Sequence, residues 1–449
     1  MSVLLCRRPR PTAAASLSSF QQRRRIGLSL AALPVLAGLT LVGGSLGNPA
    51  LAASSPVTNL IDLDTVVGGG VAFGEGVAFG KGGITYVTAG AGDGMILGLV
   101  PSAKPNGPWT GFPAWKFNSS TDGDQINYRL AVDKKGVLYG TMTFGGPGKC
   151  GCGVVFALAP KAGGGGLGTL TLLHVFGGHG DGSGPSAGPV FEGSEDTVLY
   201  GTTGGGGKGC PGGCGTVWKL KIGGARSLKT PLYAFKGGKS KDGQIPISAL
   251  AFDKAGNIYG TTLQGGEGCV SAGQGPGCGT VFKLTKRGAS YSESAIYRFK
   301  GGNDGAFPYG DLTVAPNGDI YGTTFGGDVK SDKGTVFRLR GKGTSYAEQV
   351  LWRFKGGSDG AGPLSGVHRT ASGVLYGTTS SGANFKGAVY RIKPGGAGLW
   401  PESVIFRFKG GPKGAIPQAD IVANAKGQLF STAFGDVNGD DSIFFELKP

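Results

Sequence analysis

The chain has few of the residues that carry most enzyme chemistry. Histidine occurs three times in 449 residues, and 28 Asp and Glu stand against 44 Lys and Arg. No His-Glu-x-x-His motif and no phosphate-binding loop is present, which argues against a zinc peptidase or a nucleotide-binding enzyme of the usual kind. No run after residue 52 is apolar over the length that crosses a bilayer. Catalysis is therefore uncertain, and the composition favours a protein that is not an enzyme.

Helical periodicity is also scarce, and short strands take its place. Four segments in one stretch show the pattern, because they alternate or are rich in β-branched and aromatic residues: Asp311–Ala315, Ile320–Thr324, Gly334–Leu339 and Gln349–Lys355. Gly, Pro, Asn and Asp separate them. The 92 Gly have no three-residue period, which excludes a collagen-like helix. The sequence thus predicts four-stranded antiparallel units, whose strands we name a, b, c and d from inside to outside.

One phrase recurs along the whole chain. A strand-like Leu/Ile-Tyr-Gly-Thr stretch, with a degenerate copy at each end, returns at spacings of 53, 61, 59, 62, 55 and 54 residues. Self-similarity at such a period predicts a repeat architecture, and a four-stranded unit repeated radially is a β-propeller blade. The aromatic anchors of the phrase are Tyr86, Tyr139, Tyr200, Tyr259, Tyr321, Tyr376 and Phe430.

We predict an all-β fold with seven blades. Strands b and c occur seven times, and no strand d follows the last pair, at 428–432 and 443–448. Val57–Asp64 has the pattern of a strand d at the other end of the chain, so it would complete the last blade and close the ring. Closure would remove two unpaired sheet edges. A linear β-solenoid is the alternative, although its repeats are usually shorter and need no strand shared between the termini.

The first 52 residues have the organisation of an export signal. Six Arg and no acid occur within the first 25 residues, Ile26–Leu46 is apolar, and Ala50–Ala52 offers a small-x-small cleavage site. Arg24 and Arg25 resemble part of a twin-arginine motif. A bipartite organelle signal and a membrane anchor are the alternatives. We expect cleavage to leave residues 53–449 as one propeller domain without a transmembrane segment, in the periplasm, at the cell surface or outside the cell, or else in an organelle lumen.

Six of the seven Cys lie outside the signal, in the b–c loops of three successive blades. An even number of Cys in an exported chain indicates disulfides. Pairing within a loop is simple for two of the pairs, but Cys two residues apart would form a tight ring, so a link from Cys152 to Cys210 is the alternative there. The spacings match no standard zinc pattern. The pairs are Cys150 and Cys152, Cys210 and Cys214, and Cys269 and Cys278.

The d–a and b–c connections lie on one face of such a propeller, which therefore collects the long loops. An Asp-Gly phrase recurs in its d–a loops. Asp-Gly is ordinary turn chemistry, but a ring of carboxylates around the channel mouth could also bind a cation or a sugar. We predict no catalytic residue. The binding candidates on this loop-rich face are His179, Asp181, Asp242, Asp304 and Asp359.

A segment near the C-terminus resembles the start of a calcium loop. Asp436–Asp441 places oxygen ligands at alternating positions, but no Glu follows at the twelfth place. Its Asn-Gly step is also a favoured hairpin turn. We therefore predict no metal site and no cofactor, with calcium as the alternative.

The chain is basic. Its formal net charge is +16, and +10 without the six Arg of the signal. Repeated Arg-Phe-Lys stretches lie on strand d, where charge protects an exposed edge from aggregation. Export and the lack of a basic cluster argue against nucleic acid. An anionic polysaccharide or a membrane surface could attract such a chain.

Three phrases together resemble a known family. Tyr-Gly-Thr-Thr-x-x-Gly-Gly, Gly-Thr-Val-Phe-Lys-Leu and Tyr-x-Phe-x-Gly-Gly-x-Asp-Gly-x-x-Pro recur in order, most clearly at Tyr321–Gly327, Gly334–Leu339 and Tyr297–Pro308. From about Val57 to Pro449 the chain resembles the GloVer tandem-repeat family, also called choice-of-anchor tandem-repeat proteins. The resemblance implies an exported, surface-associated protein without an assigned activity, and it implies no catalytic residues.

These observations lead to one hypothesis and two alternatives. We expect a monomeric exported propeller that binds extracellular glycan or a surface protein through the loop-rich face. An extracellular polysaccharide lyase or hydrolase is the first alternative, since propellers host both kinds of protein. An enzyme would gather acids, His or Tyr that do not repeat in one pocket, whereas a binding module would repeat shallow aromatic and polar sites. A purely structural surface protein would show neither.

Overall fold

The structure is a computed structural model of the chain. The predicted signal, residues 1–52, lies outside the residues that it describes. From Pro56 onward the chain forms one compact unit. The described residues are 55–67, 74–90, 93–104, 107–127, 129–161, 166–223, 228–266, 269, 277–326, 333–342, 345–382, 384–435 and 441–448.

This unit consists of seven antiparallel sheets. Each sheet is one blade, with strands a to d in meander order, and in blades 2 to 4 strand a is divided into two segments that both pair with strand b. The arrangement confirms the all-β fold and the seven-bladed propeller. Blade 1 contains β2 (Gly74–Phe79), β3 (Thr85–Ala89), β4 (Met95–Val100) and β5 (Thr110–Lys116). Blade 2 contains β6 (Asp124–Ile126), β7 (Ala131–Val132), β8 (Leu138–Phe144), β9 (Val154–Ala159) and β10 (Thr169–Val175).

The later blades repeat this order. Blade 3 contains β11 (Ser183–Pro185), β12 (Val190–Phe191), β13 (Val198–Gly205), β14 (Thr216–Lys221) and β15 (Leu228–Ala234). Blade 4 contains β16 (Gly243–Pro246), β17 (Ala251–Phe252), β18 (Ile258–Gly265), β19 (Thr280–Arg287) and β20 (Ser290–Arg298). Blade 5 contains β21 (Thr313–Val314), β22 (Ile320–Thr324), β23 (Thr335–Lys342) and β24 (Ser345–Arg353). Blade 6 contains β25 (His368–Arg369), β26 (Leu375–Thr379), β27 (Ala388–Ile392) and β28 (Glu402–Arg407), and blade 7 contains β29 (Val422–Ala423), β30 (Leu429–Ala433), β31 (Ile443–Leu447) and β1 (Val57–Asp62).

The N-terminal strand closes the ring, as the sequence predicts. β1 runs antiparallel to β31, with Val57 opposite Leu447 and Asp62 opposite Ile443. It supplies the strand d that the C-terminal repeat lacks. A five-residue helix, α1 (Leu63–Val67), follows β1. Among the described residues, no helix has both the length and the apolar character to cross a membrane.

The recurring Tyr-Gly-Thr phrase has a packing reason. In blade 5, Gly322 lies opposite Phe337 across strands b and c, and a Cβ at Gly322 would come within 2.6 Å of the Phe337 ring. The same close approach recurs in blades 2, 3, 4 and 6. The Thr that ends strand b then pairs across the strands, as Thr324 does with Thr335 at 2.9 Å between hydroxyl oxygens. Glycine thus leaves room for an aromatic ring, and the ring covers it.

These c-strand rings also pack on the preceding blade. In blade 4, Phe299 follows strand d, and its ring centroid lies 5.1 Å from that of Phe337 in blade 5. Both rings are buried. Such edge contacts add about 0.5–1.5 kcal/mol each to the effect of burial. The repeat therefore builds a belt of aromatic pairs that joins each of blades 1 to 6 to the blade after it. The pairs are Phe117–Phe156, Phe176–Trp218, Phe235–Phe282, Phe299–Phe337, Phe354–Tyr390 and Phe408–Phe445.

Strand bounds differ by a few residues from the sequence prediction. In blade 5, strand a covers Thr313–Val314 instead of Asp311–Ala315. Strand d covers Ser345–Arg353 instead of Gln349–Lys355. A two-residue segment of strand a beside the a–b turn recurs in blades 2 to 7. Just before it in blade 5, the Asp311 carboxylate accepts the backbone N–H of Ala249 in blade 4 at 2.7 Å.

Candidate functional site

The d–a loops carry the Asp residues that the sequence singles out. In each loop the Asp carboxylate accepts a backbone N–H from the chain that follows strand d. Asp242 accepts from Lys236 at 2.7 Å, and Asp304 accepts from Lys300 at 2.6 Å. Each Asp thus holds its loop in shape. The equivalent pairs are Asp181 with Gly177 and Asp359 with Lys355.

Strand d of the next blade brings a second carboxyl group to three of these Asp residues. Between blades 3 and 4, Glu293 and Asp242 line one cavity of about 290 Å³, together with Tyr233 and Arg298. The Tyr233 hydroxyl donates to Asp242 at 2.9 Å. We name this site groove 3/4 and name its counterparts in the next two blade pairs groove 4/5 and groove 5/6. By contact and by strand register, groove 3/4 contains Tyr233, Lys236, Asp242, Glu293 and Arg298, groove 4/5 contains Tyr297, Lys300, Asp304, Glu348 and Arg353, and groove 5/6 contains Trp352, Lys355, Asp359, Glu402 and Arg407.

The groove Glu residues have unusual protonation. Burial, followed by the neighbouring Asp carboxylate, raises the pKa of Glu293, Glu348 and Glu402 to about 7 in each case. The groove Arg opposes this rise. Among the described residues, one buried oxygen of each of these Glu, Oε1, has no hydrogen-bond partner. Near neutral pH each groove therefore combines an anchored carboxylate with a carboxyl group that is partly protonated and has an unsatisfied polar atom.

The groove Arg is positioned by the loop that it faces. Nε of Arg298 donates to the carbonyl oxygen of Lys241 at 2.8 Å, and Lys241 immediately precedes Asp242. Arg407 makes the same contact through a terminal nitrogen, at 2.8 Å from the carbonyl oxygen of Ser358. Arg353 donates to Asn303 in the same way. The guanidinium is thus fixed beside the Asp, and in Arg353 and Arg407 the side chain is exposed.

The groove between blades 2 and 3 has the same build with different contents. Lys229 takes the place of the groove Glu, its Nζ lies 2.9 Å from Oδ1 of Asp181, and its side chain is 3% exposed. Burial alone would raise the pKa of Asp181, but hydrogen bonds from His174, the Gly177 N–H and Lys229 hold this pKa well below its ordinary value. An internal ion pair therefore fills this groove.

The structure brings His174, not His179, to Asp181. Nε2 of His174 lies 3.0 Å from Oδ2 of Asp181. His179 is exposed and has a φ of 43°, and its carbonyl oxygen accepts the N–H of Gly182 at 3.4 Å. The sequence suggested His179 because it lies two residues from Asp181. His174 lies on strand d (β10), and the d–a loop folds back so that Asp181 contacts His174 instead of His179.

The three Cys pairs form disulfides within their own loops, with Cα–Cα distances of 5.2, 5.8 and 5.1 Å for Cys150–Cys152, Cys210–Cys214 and Cys269–Cys278. The doubt about Cys150 and Cys152 was wrong, and so was the alternative link from Cys152 to Cys210. The second Cys of a pair also hydrogen-bonds to the segment that leads into the next blade. The carbonyl oxygen of Cys278 accepts the N–H of Phe307, in the d–a segment, at 2.8 Å.

The ring axis holds a second charged cluster, which does not repeat. Arg129 of blade 2 lies 3.4 Å from Asp311 of blade 5 and 3.5 Å from Asp420 of blade 7. Burial, followed by the Asp311 carboxylate, raises the pKa of Asp420 to about 7 against the attraction of Arg129. These residues lie ten positions before the aromatic anchor of their blade. The equivalent residues of the other blades are small: Gly76, Ala249 and Gly366 at the same spacing, and Gly188 of blade 3, which lies twelve positions before Tyr200 because the a–b turn of that blade is two residues longer.

The axial cavity is small. Its volume is about 50 Å³, which is room for a few water molecules but not for a sugar ring. Asp311 accepts the N–H of Ala249, and Asp420 accepts the N–H of Gly366, both at 2.7 Å. The cluster thus connects blades 2, 5 and 7 across the axis and also binds backbone of the neighbouring blades.

Three stretches match the Gly-x-Ser-x-Gly spacing of hydrolase nucleophiles: 43–47 in the predicted signal, and 184–188 and 356–360 among the described residues. That motif acts when the Ser lies on a sharp turn from a strand to a helix. Here 356–360 lies between strand d of blade 5 and strand a of blade 6, and 184–188 runs from the end of β11 toward β12 within strand a of blade 3. The Ser186 hydroxyl donates to the carbonyl oxygen of Pro246 at 2.5 Å. The spacing alone therefore gives no nucleophile.

Metal binding is not indicated by the geometry of the described residues, which contain no group of three or more His, Cys, Asp and Glu arranged to hold an ion. Most of the calcium-loop candidate, 436–440, lies outside the described residues. Calcium at that segment stays an untested alternative to the prediction of no metal site.

The sequence analysis did not identify the groove Glu residues as site residues, and it did not predict that the groove Arg residues contact the d–a loops. Each groove Glu lies six residues before the Phe that follows strand d, and each groove Arg lies one residue before it. Alignment of the d strands on this Phe would have shown both. The Arg residues were interpreted only as protection of a sheet edge, because their loop partners come from another blade.

Comparison with known proteins identifies a repeat family over part of the chain. Residues 267–449 match the model of the family described as the Gloeobacter/Verrucomicrobia repeat. The match includes the clearest copies of the three phrases, and it confirms the resemblance to the GloVer repeats over these residues. A search of curated proteins finds no match to the chain.

Among solved structures, the chain is similar to PorZ of Porphyromonas gingivalis, described as an essential bacterial surface component of the type-IX secretion system. The identity is 14% and the TM-score is 0.42, over 79% of this chain and 44% of that chain. The chain thus corresponds to less than half of PorZ, and a similarity at this level carries no argument about function.

Proposed function

We propose that the chain is an exported β-propeller that binds extracellular glycan through its interblade grooves. The observation that carries the proposal is the repetition of one constellation in grooves 3/4, 4/5 and 5/6. Each groove offers an aromatic side chain, two carboxyl groups and a guanidinium. Such planar donors and acceptors suit sugar hydroxyls, and an aromatic wall suits the apolar face of a sugar ring. Repeated shallow sites of this kind favour a binding module over an enzyme.

Rigidity of the loop-rich face supports the same function. The Asp carboxylates hold the d–a loops, and the disulfides hold three b–c loops. A surface that is ordered before binding loses less conformational entropy when a ligand arrives. The loops thus suit a preformed site.

The disulfides also support export. Disulfides persist in oxidising compartments and are rare in the cytosol. Three of them in one domain favour the periplasm, the cell surface or the extracellular space, with an organelle lumen as the alternative. The basic first 25 residues and the apolar segment after them have the organisation of a signal that directs export.

A glycan-array screen of the chain from Ala53, run with calcium and with chelator, tests this function. We expect binding that survives chelation, because the groove residues need no metal. The Glu293→Gln/Glu348→Gln/Glu402→Gln variant should change the set of glycans bound. Glu195→Gln, at an exposed position in an a–b turn, is the matched control. No binding to any glycan would overturn the proposal and leave a surface protein as the partner.

A further inference from the structure

The three grooves repeat the same contacts between equivalent residues. In each groove a loop carbonyl of one blade holds the Arg of the next, and the Asp that follows this carbonyl in sequence stands beside it. The Lys that follows the buried Phe of strand d donates its backbone N–H to that Asp. Its side chain is exposed in all three grooves. The same cationic and hydroxyl-binding groups therefore recur in three consecutive blade pairs.

Folding does not require this content. Blade 3 has Ala234 where the later blades have the groove Arg, and Lys229 where they have the groove Glu. The groove between blades 2 and 3 still keeps its loop bond, from the Gly177 N–H to Asp181 at 2.7 Å. The aromatic contact between Phe176 and Trp218 also forms there. The Arg and the Glu are thus additions to a groove that forms without them.

The charge of the grooves selects the class of ligand. Each contains an Arg and a Lys against one Asp carboxylate and one Glu whose carboxyl group is buried beside that Asp. A ligand with an ammonium group would meet two cations. A ligand with an anionic group would meet a guanidinium whose planar fork matches carboxylate and sulfate oxygens. The formal charge of the chain without its signal is +10, which also favours an anionic ligand.

The groove also offers acceptors to sugar hydroxyls beside the anion. The carboxyl groups of Asp242 and Glu293 both line the cavity of groove 3/4, and its volume of about 290 Å³ gives room for a sugar ring.

We propose that grooves 3/4, 4/5 and 5/6 together bind one strand of an acidic polysaccharide, with Arg298, Arg353 and Arg407 each on an anionic group of that strand. The anionic group is a carboxylate or a sulfate beside free hydroxyls. This inference rests on the proposed glycan-binding function and names its ligand class. Tandem sites on one rim make the binding multivalent, so affinity should rise steeply with the length of the polymer.

The test compares three polymers of matched length by calorimetry or biolayer interferometry: oligogalacturonate, the same oligomer with its carboxyl groups reduced to alcohols, and a sulfated oligosaccharide. We expect the acidic oligomers to bind and the reduced one to bind about tenfold or more weakly, because each groove loses a charge-assisted hydrogen bond. Arg298→Gln/Arg353→Gln/Arg407→Gln should abolish the difference. Whether uronate or sulfate binds better identifies the source of the anion.

Lys134→Gln/Lys135→Gln/Lys426→Gln is the charge-matched control, since these exposed Lys lie in a–b turns on the opposite face. Equal loss in both triple variants would show non-specific attraction and overturn the inference. Equal binding of the acidic and the reduced oligomer would also overturn it, while the glycan-binding function stands. Binding of none of the three, with binding of another glycan on the array, overturns the inference alone, whereas no glycan binding at all overturns both. A circular dichroism melt of each variant shows that it is folded.

Discussion

Six residues before the Phe that follows strand d, blades 4, 5 and 6 carry Glu and blade 3 carries Lys229. The side chain at this position faces the Asp of the preceding blade, so a single residue decides whether the groove holds an ion pair or two carboxyl groups. The glycine of the repeated phrase is equally specific, because its missing Cβ is the space for an aromatic ring. The sequence shows both residues as repeats. It does not show what they face, because the partner lies in another strand or another blade.

Gly322→Ala should destabilise the fold. The new Cβ would lie 2.6 Å from the Phe337 ring, and Phe337 is held on its other side by Phe299. Overpacking of this kind costs about 1–3 kcal/mol, and urea unfolding measures it. Gly396→Ala is the control, since a Cβ there meets nothing within 4 Å. Equal stability of the two variants would contradict the packing reason for the phrase.

Glu348→Gln should stabilise the protein at high pH only. The pKa of Glu348 is raised from 4.5 to about 7, so the folded state holds a proton that the unfolded state has lost. Stability therefore decreases as the pH rises from about 4.5 to about 7 and is level above that range. We expect little change at pH 5 and a gain of about 1 kcal/mol at pH 8, where the variant removes a charge beside Asp304. Thermal melts of the variant across this pH range, with Glu195→Gln as control, test the prediction. Destabilisation by Glu348→Gln at pH 8 would contradict the raised pKa of Glu348.

At the scale of elements, the strands were predictable and the grooves were not. Period-two alternation and Gly-rich turns locate strands b and c of each blade to within about three residues. Strand a was predicted too long, since its segment beside the a–b turn pairs over only two residues in each of blades 2 to 7. The grooves lie between two d strands that are about one repeat apart in sequence, and a pattern within one strand cannot reveal a partner at that distance.

The disulfides should rank by the length of loop that they close. Cys269–Cys278 spans nine residues and Cys210–Cys214 spans four. Loop-closure entropy then predicts losses of about 3 and about 2 kcal/mol when each pair is replaced by Ser. Denaturant unfolding of the two double variants measures both losses. The reverse order would show that packing of the b–c loop, not its closure, dominates.

At the scale of the whole molecule, the ring depends on contacts between distant parts of the chain. β1 pairs with β31, and Arg129 reaches Asp311 and Asp420 across the axis. The count of strands b and c predicted the first contact, because it left one blade without a strand d. Nothing in the sequence predicted the second, since charged residues at one position of three blades become a cluster only when the ring is closed.

Removal of β1 should open the ring. A chain that begins at residue 63 leaves the edge of β31 without its partner and removes Val57 from the core of blade 7. We expect a melting temperature lower by about 10 °C or more than that of the chain from Ala53, together with aggregation through the free edge. Calorimetry and size-exclusion chromatography compare the two. Equal stability would show that the ring does not need β1.

The central claim is that the interblade grooves are where ligand binds, and lysine footprinting tests it most directly. The chain from Ala53 is acetylated with and without the tightest-binding glycan, and modification is measured for each Lys by mass spectrometry. The account predicts protection of Lys236, Lys300 and Lys355, which are exposed in the three grooves, and none at Lys134, Lys135 and Lys254 in the a–b turns. Protection confined to the a–b turns while the glycan is bound would contradict the account.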